Sequence, residues 1–201
     1  MTTDDKQFSE DLEAWLSGDT PKTLGALSEA FGEKSFAVTI LLLMFVPALP
    51  LPTGGITHVF EVITVLIALQ MVVGRSTIWL PEKWKRRELG ATLTGKALPF
   101  IIKRVRWFEK FSRPRFAGLL RHRWFGPILG LIIIAFTAGA AVAPPFSGLD
   151  TLPALGVVTI CLAIILEDVI VLGIGVLIGT GGIVLIVTIG AALAHFIKGL
   201  F

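Results

Sequence analysis

The chain has 201 residues, of which 54% are hydrophobic and 16% are charged, and its mean hydropathy is +0.80. Soluble domains carry about 25% charged residues, so this composition excludes an ordinary soluble protein and predicts an integral membrane protein. The net charge of +3 conceals a division along the chain. Residues 1–34 carry a net charge of −5, whereas residues 75–123 carry a net charge of +11.

The acidic segment, residues 1–34, is predicted to form two short amphipathic helices. Apolar side chains recur there at helical spacing in two runs, namely Phe8, Leu12, Trp15 and Leu16, and then, after Thr20-Pro21, Leu24, Leu27, Ala30 and Phe31. We interpret them as a collar packed on a membrane domain, and a docking site for a partner is the alternative. The acidic start does not resemble a cleavable signal peptide, so the N-terminus is expected in the cytoplasm.

The first membrane unit, residues 35–75, is interrupted by the sequence Pro47-Ala-Leu-Pro-Leu-Pro-Thr-Gly-Gly55. Proline lacks the N–H group that a helix needs, and its ring clashes with the preceding turn. In hydrocarbon, irregular backbone persists only where protein or a water-filled cavity covers it, and broken membrane helices often build binding sites. We therefore predict that Thr53, Gly54 and Gly55 form half of a functional centre.

The apolar stretch after this break, residues 56–74, is long enough to cross a bilayer and carries Glu61. An ionisable group in a membrane helix is rare and usually faces a cavity or a partner. His58 precedes Glu61 by three residues, so both should lie on one helical face. The pair is either a proton- or substrate-coupling site or a structural hydrogen bond that covers the broken backbone. Gln70 and Arg75, further along the segment, are also candidate functional residues.

The basic segment, residues 76–125, places tryptophans beside a cluster of lysine and arginine. Such a combination marks a membrane interface, and the positive-inside rule puts it in the cytoplasm. Apolar residues interleaved between Leu98 and Phe111 predict amphipathic helices that lie on the membrane surface. Because membrane spans flank the segment, we expect anionic lipid as its partner and no nucleic acid.

The second membrane unit, residues 126–201, follows the same order as the first. An apolar run over residues 126–143 ends in a break at residues 144–148, and the next apolar run carries Asp150 near its start. We expect an all-α, polytopic membrane protein with four to six membrane segments. Each repeat is predicted to contain a Pro/Gly-broken or re-entrant helix, and the run before the first break, residues 36–49, is too short for a comfortable crossing.

A shift of 93 residues places the two breaks in register and predicts an internal repeat. Gly55 then falls on Gly148, and Arg75 falls on Asp168. We predict that Gly148 and Asp150 belong to the second half of the centre, where helix N-termini could bind an anion. Arg75 and Asp168 are predicted to form a structural ion pair, because charges in a low dielectric need a partner. A parallel arrangement of the repeats is favoured by the cytoplasmic N-terminus, and an inverted one is the alternative.

Several of these sequences resemble the ExoD family of exopolysaccharide-synthesis membrane proteins. Its first signature resembles Pro50-Leu-Pro-Thr-Gly-Gly55, Leu66-Ile-Ala-Leu-Gln-Met-Val-Val-Gly-Arg75 and Trp79-Leu-Pro81, and later elements resemble Arg113-Pro-Arg115, Pro145, Leu152-Pro-Ala-Leu155 and Asp168. The family's Arg-Asp-Gly site reads Glu167-Asp168-Val169 here, so only Asp168 carries over. The resemblance covers residues 20–195 and implies a multi-pass bacterial inner-membrane protein linked to exopolysaccharide production, without a known reaction.

Three functions remain open at this point. A small carrier or flippase for an anionic substrate would use the two breaks as its centre and Glu61 as its coupling acid. A non-catalytic accessory subunit of a polysaccharide synthesis or export machinery would use the breaks only for packing. An enzyme is the weakest interpretation, and we expect no catalytic residue, metal or cofactor. The expected partners are membrane lipids, polysaccharide-synthesis proteins and a second copy in a homodimer.

Overall fold

A computed structural model describes residues 8–32, 34–49, 56–86, 88–90, 94–95, 98–110, 124–144 and 147–200. Its helices over these ranges are α1 (Phe8–Ser17), α2 (Leu24–Phe31), α3 (Lys34–Phe45), α4 (Ile56–Val72), α5 (Glu82–Lys85), α6 (Leu98–Glu109), α7 (Phe125–Val142), α8 (Thr151–Leu166) and α9 (Val169–Leu200). The described part contains no β-strand, only an isolated antiparallel bridge between Thr23 and Glu88. The all-α prediction is therefore confirmed.

Among the described helices, two are long and apolar enough to cross a membrane by length and composition. They are α7, with 18 residues, and the first 24 residues of α9, Val169–Ala192. Helices α3, α4 and α8 are also apolar but have only 12, 17 and 16 residues. A straight helix needs about 20 residues to span the hydrocarbon core, so these three are short for a complete crossing.

The core lies between α3, α4, α7 and α8. Helix α3 packs on α8, and α4 packs on α7, while α9 lies along α8. Side chains from three of these helices, Ile40, Ile133 and Ile160, are completely buried there. The apolar runs of the two predicted membrane units therefore pack against each other.

Glycines allow α8 and α9 to approach closely. A Cβ atom on Gly156 would lie 2.5 Å from the Cα atom of Gly179, and one on Gly175 would lie 2.9 Å from the backbone nitrogen of Ile160. Small residues at such contacts are typical of helix pairs in membranes, where close backbone approach replaces the hydrophobic effect. The turn between the two helices is equally tight, because α8 ends at Leu166 and α9 begins at Val169.

The N-terminal helices pack against other helices, α1 on α6 and α2 on α3, and their role as a collar on a membrane domain stays a prediction. The structure corrects two details predicted for the segments outside the membrane units. Helix α2 begins at Leu24 instead of Thr20, because the Thr23 side chain accepts a hydrogen bond from the Ala26 N–H at 3.1 Å and caps the helix there. Helix α6 does not turn its whole apolar face to a membrane surface. Four of its apolar residues are buried within the protein, namely Leu98, Ile101, Ile102 and Val105.

The contact between α1 and α6 joins the acidic segment to the basic one. The Ser9 backbone N–H donates to a carboxylate oxygen of Glu109 at 3.0 Å, and the Ser9 hydroxyl donates to the other oxygen at 2.5 Å. Arg106 and Glu13 form an ion pair across the same contact. One acidic side chain of the first segment is thus paired with one basic side chain of the second.

Parts of both predicted breaks lie outside the described residues. These parts include residues 50–55, with Thr53, Gly54 and Gly55, and residues 145–146. Where it is described, the chain leaves α3 at Phe45 and α7 at Val142, and a new helix follows each break. The re-entrant form of the breaks and the internal repeat stay predictions.

Candidate functional site

A cavity of about 470 Å³ lies between α4 and α7. Among the described residues that line it, three have polar side chains, His58, Glu61 and Thr137, and the others are aliphatic, namely Val62, Val65, Leu66, Ala138, Ala141 and Val142. Ligand pockets generally have this composition, with apolar walls and a few placed polar groups. The cavity is therefore the candidate functional site.

The packing of α4 against α7 places the cavity near one end of the helix pair. At the other end, a Cβ atom on Gly130 would lie 2.9 Å from the Ala68 carbonyl oxygen, so the two backbones nearly touch. The cavity is lined instead by the first half of α4 and the last turns of α7, so the helices run antiparallel. Small residues on α7 in that region, Ala138 and Ala141, leave space beside the Glu61 carboxyl group.

Glu61 is buried in the wall of this cavity, with 1% of its surface exposed. Its Oε2 atom is 2.8 Å from the Nδ1 atom of His58, as the spacing of three residues on one helix allows. The His58 side chain is 44% exposed, so it lies at the rim while the carboxyl group lies inside. The other carboxyl oxygen, Oε1, has no hydrogen-bond partner among the described residues.

The second membrane unit contributes Thr137 and Asp150 to the surroundings of Glu61. The Thr137 hydroxyl is buried and, within the described part of the chain, also lacks a hydrogen-bond partner. Asp150 lies within electrostatic range of the Glu61 carboxyl group. Sequence reasoning did not select Thr137, although it is the one polar side chain in the apolar run 126–143, which was the available signal.

Gln70 and Gly148, two other predicted site residues, are not among the described residues that line the cavity. The Gln70 amide holds the segment that follows α4, because its Oε1 atom accepts from the Trp79 N–H at 2.6 Å and its Nε2 atom donates to the Trp79 carbonyl at 3.3 Å. Gly148 lies in an exposed turn with a φ of 68°, a conformation that favours glycine. Gln70 therefore supports the fold of the segment that follows α4.

The predicted ion pair between Arg75 and Asp168 stays a prediction. Arg75 is exposed beyond the end of α4, whereas Asp168 is buried, and its Oδ1 atom accepts from the Ile170 N–H at 2.8 Å, which caps α9. An ion pair that the sequence did not suggest lies beside it, between Lys34 and Glu167 at 3.0 Å. It joins the start of α3 to the turn between α8 and α9.

The chemistry that the site can support is hydrogen bonding and proton exchange. Within the described ranges, no three side chains of histidine, cysteine, aspartate and glutamate gather where they could hold a metal ion. The carboxyl group of Glu61 can accept or release a proton, and His58 can relay one to the surface. The aliphatic walls would contact an apolar group of a ligand.

Fold and cavity together define a strongly apolar helical protein with a buried acid between two helices. The chain belongs to the ExoD family, since the family model described as "Exopolysaccharide synthesis, ExoD" matches residues 8–188. This finding confirms the resemblance noted in the sequence, and the family's description names exopolysaccharide synthesis.

Two curated relatives agree with this assignment. Protein ExoD of Rhizobium meliloti (strain 1021) is 29% identical over 155 residues, which cover 73% of this chain and 61% of the relative. An uncharacterized protein of Synechocystis sp. is 30% identical over 131 residues, which cover 62% of this chain and 58% of the relative. The matches thus span about three fifths of each relative's length. No solved structure matches the chain.

Proposed function

We propose that the protein is a small carrier or flippase of the bacterial inner membrane, in which Glu61 couples proton binding to the movement of an anionic substrate. The observation that carries the proposal is the burial of Glu61 in the wall of an apolar cavity, with His58 exposed at its rim. Burying a charged carboxylate is costly unless it is paired or protonated. A substrate that enters the cavity would therefore change how readily Glu61 holds a proton.

The charge of the cavity explains why an anionic substrate would require a proton. Among the described residues that line it, Glu61 is the acid and none is lysine or arginine. Asp150 adds further negative charge nearby. An anionic group would be repelled by an ionised Glu61 and accepted once Glu61 carried a proton, so the proton and the anion would bind together.

The proposed membrane arrangement places α7 and residues 169–192 across the bilayer, with α3, α4 and α8 packed beside them. Apolar side chains around the cavity, Val62, Leu66 and Val142, are exposed and would face lipid. The contact between Ser9 and Glu109 supports an arrangement in which α1 and α6 lie on one side of the membrane. The positive-inside rule favours the cytoplasm for that side, because α6 belongs to the basic segment.

An accessory role in a polysaccharide synthesis or export machinery is the second candidate, and the surface of α9 supports it. This helix exposes large apolar side chains along its second half, including Val184, Leu185, Val187 and Ile189. Such a surface would be covered by lipid, by a second copy or by a partner protein. In this role, as in a carrier, the protein would not be an enzyme.

Lipid movement in reconstituted vesicles tests the proposal. The purified protein would be placed in liposomes that contain head-group-labelled phosphatidylglycerol, and transfer between leaflets would be followed by chemical bleaching of the outer label. We expect transfer with the unchanged protein, loss of transfer with Glu61→Gln, and unchanged transfer with Glu29→Gln, an exposed glutamate on α2. Transfer at the rate of protein-free vesicles would favour the accessory role, and full activity of Glu61→Gln would remove Glu61 from the mechanism.

A further inference from the structure

We infer that the cavity between α4 and α7 binds the hydroxyl-bearing head group of an amphiphile, such as a glycolipid, with its alkyl chain along the aliphatic wall. The inference rests on the proposed carrier function and names a substrate class for the same cavity. Any anionic group of such a substrate would remain at the rim, beside the exposed His58 side chain.

Two buried atoms without hydrogen-bond partners among the described residues indicate the chemistry of the head group. The Oε1 atom of Glu61 and the hydroxyl of Thr137 belong to side chains that line the cavity, and neither atom has a hydrogen-bond partner in the described part of the protein. Leaving such atoms unsatisfied costs free energy, so a ligand that bonds to both is favoured.

The chemistry of these two atoms selects a hydroxyl group among the common head groups. A hydroxyl can donate its O–H to the Glu61 carboxylate and accept the O–H of Thr137 at the same time. An ammonium group can donate to both atoms, but its remaining N–H would face aliphatic side chains, and an ionised phosphate or carboxylate would carry its charge into the apolar cavity. A sugar carries several hydroxyls and can satisfy both atoms without burying a charge.

The remaining wall of the cavity selects an alkyl chain over a free sugar. The other lining side chains that the structure describes are aliphatic. At its margin, Val62, Leu66 and Val142 are 60%, 56% and 77% exposed, so the apolar surface continues outward from the cavity. A ligand whose chain follows this surface would enter from the side, as a molecule within the bilayer does.

Protection of an engineered cysteine from a maleimide reagent tests the inference without measuring transport. Ala141→Cys places the reporter in the cavity lining, the native Cys161 is buried, and Ala191→Cys on the exposed end of α9 serves as the control position. The full-length protein in phosphatidylcholine vesicles would be titrated, below micelle concentrations, with octyl glucoside, octyl phosphate and octyltrimethylammonium. We expect octyl glucoside to slow labelling at position 141 several-fold more than the other two, and to leave position 191 unaffected.

Thr137→Val and Glu61→Gln in the reporter background should each reduce the protection by octyl glucoside. Equal protection by all three amphiphiles, stronger protection by octyl phosphate, or full protection in Thr137→Val would overturn the inference. Ala138→Cys, which also lines the cavity, replaces the reporter if Ala141→Cys does not fold. Protection without lipid transfer would contradict the proposed carrier function and support the binding site. Lipid transfer without protection by octyl glucoside would support the carrier function and contradict the binding site.

Discussion

Glu61 and Asp168 are both buried carboxylates, yet their surroundings differ. Asp168 accepts a hydrogen bond from the Ile170 N–H and caps α9, where the positive end of the helix dipole stabilises a carboxylate. Glu61 bonds to His58 through one oxygen, while its other oxygen has no partner among the described residues. Asp168 therefore belongs to the framework, and Glu61 is available to a ligand.

Substitutions at Asp168 separate its capping role from the predicted ion pair with Arg75. Asp168→Ala should lower the free energy of unfolding by about 1 kcal/mol. Asp168→Asn should lower it much less, because asparagine also caps helices. Arg75→Ala should change it by less than about 0.5 kcal/mol, since the side chain is exposed. Denaturant unfolding of the purified variants measures all three.

The opposite pattern would support the ion pair. In that case Asp168→Asn would be as harmful as Asp168→Ala, Arg75→Ala would cost a similar free energy, and the exchange Arg75→Asp with Asp168→Arg would restore stability. The exchange is expected to fail if capping is the main role of Asp168, because arginine cannot accept a hydrogen bond.

Among the helices, α8 and α9 form a tight antiparallel pair that supports the second half of the core. Glu167 closes α8 in the left-handed region with a φ of 54°, and α9 starts two residues later. Gly156, Gly175 and Gly179 let the two backbones meet. Because the Ile160 side chain of α8 is completely buried in the core, the pair holds α8 against the helices that form the site.

Two glycine substitutions test this contact. Gly156→Ala would place a Cβ atom 2.5 Å from the Gly179 Cα atom, so we expect it to destabilise the protein by about 1–3 kcal/mol. Gly173→Ala is the matched control within α9, where a Cβ atom would meet nothing within 4 Å, and it should stabilise the helix by up to about 1 kcal/mol. Thermal unfolding compares the two, and equal effects would contradict the role assigned to close packing.

Across the whole molecule, the sequence predicted features that depend on local pattern. The apolar run 126–143 corresponds to α7 at Phe125–Val142, and the spacing of His58 and Glu61 anticipated their hydrogen bond. Features that depend on distant segments were missed. Ser9 and Glu109 are 100 residues apart in sequence, so no local pattern indicates their contact or the burial of the apolar face of α6.

Thr137 in the cavity and the ion pair between Lys34 and Glu167 elsewhere in the protein show the same limit. Thr137 is one polar residue in an apolar run, and only the packing of α7 on α4 places it in the cavity with Glu61. The ion pair depends on the packing of α3 against α8, which joins the two membrane units. Which helices pack against each other can therefore be seen only in the complete fold.

The contact between α1 and α6 predicts the side of the membrane on which both lie. Glu10→Cys and Lys103→Cys, at exposed positions on the two helices, should react with a membrane-impermeant maleimide in inverted vesicles and stay unreacted in right-side-out vesicles. Cys161 is buried and provides a low background. Labelling of the two positions from opposite sides would contradict the packing, and labelling of both from outside would reverse the orientation.

The response to a pH gradient shows whether Glu61 couples substrate movement to protons. Transfer of labelled phosphatidylglycerol between leaflets would be measured in liposomes with either the outside or the inside acidic. We predict that the unchanged protein drives net transfer away from the acidic side, that reversal of the gradient reverses this direction, and that Glu61→Gln responds to neither gradient. Proton coupling through Glu61 would be contradicted if transfer by the unchanged protein did not depend on the gradient, or if transfer by Glu61→Gln depended on it equally.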